Sequence, residues 1–407
     1  MLAIFDTYFS RFEVFPQQLS EPVASDLGII VVIPCFNEPD IETTLLSLRQ
    51  YTSTNCSIEV VIVVNHSEIE KETIKEFNRI TFENLQAFSK KYNTTKLKFL
   101  PIFAEDLQKK YAGVGIARKI GMDEAIRRFA QIDNPNGIIV SCDADTTVEK
   151  NYLTEIENFY QNNPNCSVAN IAFEHPLVGD LPHEQYKSIA EYELYLRYYV
   201  QQLKRVNFPY AYHTIGSCFS LRAKAYCRQG GMNKRQAGED FYFLQKLFQT
   251  EQVGEINTTK VFPSSRMSDR VPFGTGTVMA KMVTEQKEYV TYSSDSFDVL
   301  LEFFSHIPIL RTTQDLRNAF QSFHPCLQEF LSFDEFEQKI IEIRNNSTSN
   351  ELYLKRFFNW FNGFLVYKFL NHSTQTFPKV PISIAAAKLI KSDSKDVFEL
   401  LTQYRQL

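Results

Sequence analysis

Seven cysteines, Cys35, Cys56, Cys142, Cys166, Cys218, Cys227 and Cys326, include no C-x-x-C pair, and an odd number scattered over 407 residues makes no disulfide framework. That spacing predicts a reducing compartment. Blocks of like charge are missing too: 43 Lys and Arg face 48 Asp and Glu, a formal charge of −5 spread along the chain. Gripping a phosphate backbone is therefore excluded as the main task, and nucleic acid is not an expected partner. The longest apolar-looking stretch, from Phe357 to Leu370, is broken by Asn359, Asn362 and Lys368 and falls short of the roughly 20 residues a membrane helix needs. The opening MLAIFDTYFSRFEVFP carries Asp6, Arg11 and Glu13 where a signal peptide would need an apolar core. These absences predict a cytoplasmic protein. The 7 histidines form no H-x-x-x-H or H-E-x-x-H grouping, so His175 and His213 read as structural or acceptor-side residues. GVGIARKIGMDEA offers Gly113 and Gly115 but follows Tyr111 instead of a strand and lacks the third glycine, which argues against a dinucleotide fingerprint.

What is present is a hydrophobic share of 44%, too high for a disordered chain, on a length that allows two or three domains. Aromatics reach 14%, with 35 Phe and 20 Tyr, and a core rich in rings is the expected reason. From Gly28 short β-branched runs alternate with helical stretches: IIVVIP, DIETTLLSLRQY, IEVVIVV, a charged run over 69–91, LKFLPIF, GIARKIGMDEAIRRFA and GIIVSC. Continuous apolar strands separated by helices predict an α/β fold with a mostly parallel sheet covered on both faces, its ligands beyond the carboxyl ends of the strands. After Lys281 only Gly363 remains of the glycines, and the pattern is helical to the end. The expected organisation is an extension over 1–27, a catalytic domain over 28–280 and an all-helical module over 281–407.

Three segments carry chemistry. SCDADTT closes a buried strand, and residues two apart on a strand share a face, which would let Asp143 and Asp145 converge on a hard cation such as Mg²⁺ or Mn²⁺. A solvated acidic turn is the plainer account. AGEDFYFLQKLF sets Glu239 and Asp240 at the start of an amphipathic helix, where acids either favour the helix dipole or supply a general base. SSRMSDRVPFGTGTV holds Arg266 and Arg270 among serines and glycines, a composition suited to phosphate, although Asp269 offers either arginine an ordinary partner.

Taken in order, these segments resemble the family 2 glycosyltransferases. VVIPCFNEP with the TLLSL helix is similar to that family's opening strand and loop, GVGIARKIGMDEA to its A-R-N-x-G segment, VSCDADT to its D-x-D element, and RQGGMNKRQAGEDFYFLQKL to its later G-G…E-D segment. The resemblance implies a Rossmann-like fold of the glycosyltransferase A type, a nucleotide-sugar donor, Mn²⁺ or Mg²⁺, and inversion at the anomeric carbon. It implies that Pro34, Asn37, Glu38 and Asn65 line the donor pocket with Arg118. Asp143 would face the ribose and metal, Asp145 would ligate the metal, and Arg266 and Arg270 would cover the phosphates. Asp240 would be the base, with neighbouring Glu239 as the alternative base or as a helix cap. Three departures stand out. VVNHSE places Asn65 where the family often has paired aspartates, Lys119 replaces the usual Asn, and no Q-x-x-R-W element is present, which sets the processive synthases aside.

The expected reaction is a metal-dependent, non-processive transfer of one sugar to a hydroxyl acceptor, whether saccharide, lipid-linked or small molecule. The tyrosines of the segment Glu184–Arg205 are candidate walls for an acceptor, with ordinary packing as the alternative. The carboxyl-terminal module is open to acceptor binding, self-association as a homo-oligomer, or peripheral contact with the inner face of the membrane. Two rival readings are a nucleotidyltransferase, which would want a glycine-rich basic loop where this chain has CFNEPD, and a non-catalytic module that binds sugar nucleotides or glycans.

Overall fold

The computed structural model describes residues 2–13, 15–234, 238–267, 275–285 and 287–407. The chain forms two units, Met1–Gly179 with Thr214–Val278, and Asp180–His213 with Met279–Leu407. In chain order the elements of the first unit begin with α1 (Leu2–Phe12), β1 (Leu27–Cys35), α2 (Ile41–Arg49), β2 (Ser57–Ser67), α3 (Glu72–Tyr92), β3 (Leu97–Leu107), α4 (Val114–Gln131), β4 (Ile138–Ser141), β5 (Thr147–Val148), α5 (Tyr152–Asn162) and β6 (Val168–Phe173). Helix α6 (His183–Arg205) belongs to the second unit; β7 (Phe219–Arg222), α7 (Ala223–Arg228), α8 (Glu239–Thr250) and β8 (Val253–Phe262) return to the first.

The eight strands make one sheet in the order β3-β2-β1-β4-β7-β6-β8-β5. Strands β3, β2, β1 and β4 run parallel, as do β6 and β8, while β7 is antiparallel to both its neighbours and β5 to β8. The apolar runs are buried as expected: every residue of β2 is buried, and so is all of β1 except Gly28. Both faces are covered, so no alternation of polar and apolar residues is needed.

Helix α4 departs most from an ordinary surface helix, because fifteen consecutive residues from Gly115 to Phe129 are buried, six of them charged. Its closeness to the sheet depends on Gly121, where a Cβ would overlap Val32 and lie 3.1 Å from Val63. The buried charges all find partners: Arg128 with Glu59 of β2, Arg127 with Glu13 and Glu124, and Lys119 with Asp123. Asp123 also accepts from Tyr8 of α1 (2.6 Å) and Tyr226 of α7 (2.7 Å). The amino-terminal extension is thus stitched to α4 by side chains that would be costly to bury alone.

The second unit continues with α9 (Thr275–Glu285), which starts at the end of the first unit's sequence, then β9 (Val290–Thr291), α10 (Ser294–Leu310), α11 (Leu316–Gln321), α12 (Pro325–Phe330), α13 (Phe333–Asn345), α14 (Asn350–Trp360), α15 (Gly363–Ser373), β10 (Val380–Pro381), α16 (Ile382–Ile390) and α17 (Val397–Tyr404). It is helical apart from the two-residue antiparallel ladder of β9 and β10. The second unit resumes at Met279, and the aromatic helix α6 packs with the carboxyl-terminal helices α16 and α17. Glu193 of α6 explains the attachment: fully buried, it takes both Arg405 (2.8 and 2.9 Å) and Arg197 (2.9 Å). Tyr198 adds a hydrogen bond to the Tyr292 carbonyl at 3.0 Å. Among the described residues no helix is long and apolar enough to cross a membrane.

Candidate functional site

The parallel strands β1, β2 and β4 end on one edge of the sheet, and the polar residues singled out in the sequence follow them. Strand β4 stops at Ser141, so Asp143 and Asp145 stand in the turn beyond it, and strand alternation is not what brings them near each other. The turn is held by Thr44 of α2, whose hydroxyl donates to the Ala144 carbonyl at 2.8 Å, and by Cys142 N–H to the Val32 carbonyl at 3.1 Å. Both carboxylates keep partial access to solvent, 35% for Asp143 and 25% for Asp145.

Arg118, in the first turns of α4, is the hub. Its Nη2 donates to Asp143 Oδ1 and its Nη1 to Glu239 Oε1, joining the turn after β4 to the start of α8. Burial alone would pull the guanidinium pKa down, but Asp143, Glu239 and Asp240 outweigh it and raise it. The cation is permanent. Gly216 makes room for it, since a Cβ there would overlap the guanidinium.

A second arginine serves the neighbouring loop. Arg266 Nη2 reaches both oxygens of the buried Glu38 (2.9 and 3.0 Å) and lies 3.9 Å from Asp145 Oδ2. Glu38 also accepts from Asp40 N–H at 2.9 Å, fixing the turn after β1. Asn37 sits there in the left-handed region at φ 47°, a conformation Asn tolerates better than most residues. Its N–H donates to Asn78 Oδ1 at 2.9 Å, while Asn78 Nδ2 donates to the Asn65 carbonyl at 3.1 Å. One buried amide on α3 therefore ties the loop after β1 to the end of β2. Asn65 Oδ1 and His66 Nδ1 are buried there without a hydrogen-bond partner among the described residues.

Glu239 and Asp240 open α8 behind Gly238, whose φ of 67° suits glycine. Glu239 is 2% exposed and committed to Arg118; Asp240 is less enclosed, and its Oδ1 accepts from Phe241 N–H at 2.8 Å. Desolvation raises the pKa of both acids, against the pull of Arg118. Each lies within electrostatic reach of Asp143 as well.

Arg118 thus joins Asp143, Glu239 and Asp240, and a second cluster holds Asn37, Glu38, Asp145 and Arg266. Pro34 is buried within β1 opposite Val63. Arg270 lies outside the described residues. Lys119, one residue from the hub, turns to Tyr8 (3.0 Å) and Asp123 (2.9 Å), and burial lowers its pKa. His175 is buried at the end of β6 against Phe173, and His213 is half-buried in the second unit, where desolvation pushes its pKa down to about 3. Among the described residues no three His, Cys, Asp or Glu side chains are grouped so as to hold a metal ion. Asn78 and Gly216 were not picked out from the sequence. Asn78 carried a signal, a polar side chain in the inward register of α3 with Thr81, Leu85 and Phe88.

Residues 30–228 match the family model described as Glycosyl transferase family 2. The match ends short of Glu239 and Asp240. No curated protein matches the chain in sequence. Among solved structures the chain is similar to S. aureus TarS 1–349, at 14% identity over 86% of this chain and 91% of that one, with a TM-score of 0.39. The same TarS fragment in complex with UDP gives 13%, 86%, 91% and 0.40, and in complex with UDP-GlcNAc 14%, 81%, 89% and 0.41. The alternation of parallel strands and helices, the turn of acids after β4 and the family match agree: residues 30–228 belong to the family 2 glycosyltransferases, and the protein is a glycosyltransferase.

Proposed function

We propose that the first unit transfers one sugar from a nucleotide-diphosphate donor to a hydroxyl acceptor, with inversion, dependence on a divalent cation, and release after each transfer. The observation that carries this reading is Arg118, whose two nitrogens join the acidic turn after β4 to the acids of α8, so that donor and base groups share one site. Asn37, Glu38 and Asn65 are assigned to the nucleotide. Asn65 Oδ1 supports this, because a buried acceptor without a donor costs about 1–3 kcal/mol, which a nucleotide N–H would recover.

The carboxylate oxygens of Asp143 and Asp145 suit a hard cation such as Mn²⁺ or Mg²⁺, and Arg118 occupies only Oδ1 of Asp143. When bound, the cation offsets charge on the departing diphosphate. Arg266, now on Glu38 and near Asp145, is a second cation within reach of that charge, and Arg270 is assigned beside it. Asp240 accepts the acceptor's proton as its oxygen attacks the anomeric carbon from the face opposite the leaving group. Glu239 positions Arg118 and stays out of proton transfer.

Calorimetric titration with a panel of nucleotide sugars, with and without Mn²⁺, tests the donor and metal, and NMR of the product anomer tests inversion. Binding of at least one nucleotide sugar strengthened by Mn²⁺, followed by transfer with inverted configuration, is expected. Donor binding and transfer indifferent to Mn²⁺ and chelator would refute the metal assignment, and a retained anomer would refute Asp240 as base.

A further inference from the structure

The last turns of α13 and α14 enclose a groove of about 230 Å³ in the second unit, away in sequence from every residue assigned above. Its walls are Lys339, Glu342 and Asn346 on one side and Arg356, Asn359 and Trp360 on the other, over the floor of Ile343. Trp360 is the only tryptophan in the chain and is half exposed. Phe357 and Phe361 meet its indole nearly at right angles, at centroid distances of 5.5 and 5.9 Å, and so fix the ring's orientation. Asn359 is oriented as well, because its Oδ1 accepts from Tyr210 OH at 2.8 Å and so leaves Nδ2 as the group's remaining polar end. Lys339 and Glu342 pair at 2.6 Å along the rim.

We infer that this groove is a glycan-binding subsite, with Trp360 as the stacking platform and Asn346, Arg356, Asn359 and Glu342 as partners for hydroxyl groups. An apolar ring face with planar amide, guanidinium and carboxylate groups around it matches a sugar, whose C–H face is apolar and whose rim carries both donors and acceptors. The cations alone would equally suit an inorganic anion, but such a site has no use for an indole fixed between two phenyl rings. Size sets the length of the ligand. At about 230 Å³ the groove is below the roughly 300–1,000 Å³ typical of sites for drug-sized molecules, so it takes one sugar unit of a longer chain that continues into solvent. The site holds glycan without reacting on it, because its one acid, Glu342, is an exposed side chain tied to Lys339 at the rim.

The lone tryptophan provides the assay, since emission excited at the red edge of the indole band, where the 20 tyrosines do not absorb, reports Trp360. Glucose, galactose, N-acetylglucosamine, maltotriose, cellotriose, chitotriose and inorganic phosphate are titrated separately to about 100 mM, a span that covers the millimolar affinity of a single small site. At least one saccharide should give a saturable change in emission, and Arg356→Ala, an exposed position, should weaken that saccharide about tenfold, the usual worth of a charge-assisted hydrogen bond. Asp145→Asn should leave the titration unaltered, which separates this subsite from the transfer site. The inference is overturned if no saccharide saturates, if phosphate alone does, or if Arg356→Ala together with Asn346→Ala leaves the response intact.

Discussion

Replacing Asp240 by Asn, with Glu239→Gln beside it, separates two adjacent acids that the sequence leaves equivalent. Asp240 has the freer carboxylate of the pair, while Glu239 is 2% exposed and bonded to Arg118. General-base assistance is worth about 10²–10⁴-fold, so Asp240→Asn should cut kcat by at least the lower figure, about 2.7 kcal/mol of barrier, with donor binding kept. Glu239→Gln retains an amide oxygen for Arg118 Nη1, and turnover should fall by less than about tenfold. Stability moves little in either case, and the sign follows from the pKa. Folding raises the pKa of Asp240 above 3.8, so the folded state prefers the protonated acid, and the ionised form opposes folding at neutral pH. A neutral Asn removes that penalty, and Tm should hold or rise. The same shift appears in the wild-type rate: the base works deprotonated, so activity is lost as pH falls through a pKa above the ordinary carboxylate value, and this acid limb vanishes with Asp240→Asn. Steady-state kinetics from pH 4 to 9, at roughly the span over which carboxylates and histidine titrate, with thermal melts of both variants, measures all of this. Near-normal turnover in Asp240→Asn with an inactive but folded Glu239→Gln would move the base by one residue. If both variants stay active, no carboxylate base is used.

Asp145→Asn should weaken donor binding and abolish its dependence on Mn²⁺, because a neutral amide cannot balance a cation set against a diphosphate; calorimetry with the cognate donor reads both. Arg118→Met leaves Asp143 and Glu239 without their shared cation, a loss of about 3–5 kcal/mol that should lower the Tm of the first unit by roughly 6–20 °C. Asn78→Ala removes two loop hydrogen bonds at the donor edge and should raise the donor KM about tenfold with kcat nearly unchanged. An unaltered KM would show that those loops are held by other contacts.

The strands were legible because their signal is local. IIVVIP and IEVVIVV are β-branched, continuous and flanked by helices, and they became β1 and β2. The acidic turn and the pair opening α8 were legible for the same reason. Partners distant in sequence were not. Nothing near Arg118 in the chain indicates that it would reach Glu239, 121 positions on, and nothing near Glu59 marks it as a strand glutamate that Arg128 neutralises. The six charges of α4 give no sign in the sequence that the helix is buried on nearly all sides. The packing of helix α6 is equally invisible in the sequence: it lies between two segments of the first unit, yet its buried Glu193 is satisfied by Arg405 near the carboxyl end.

Two of the three departures from the family pattern, Lys119 and Asn65, have different physical meanings. Lys119 stands where the family carries Asn, but its ammonium is buried, paired with Asp123 at 2.9 Å and touching Tyr8 at 3.0 Å, so it serves the attachment of α1 to α4. An Asn there could not reach the same partners, and Tyr8 and Asp123 would share a buried negative charge without a cation. Asn65 is different, because its carbonyl is held by Asn78 while its side-chain oxygen is buried and unpartnered among the described residues. Lys119 is thereby accounted for within the folded chain, whereas Asn65 gains a partner only when something donates a hydrogen bond to it. On the proposed assignment of Asn65 to the nucleotide, this is the position that would change what the donor pocket accepts: a neutral acceptor in place of a carboxylate still takes one N–H from a nucleobase, but without the added strength of an ionised partner.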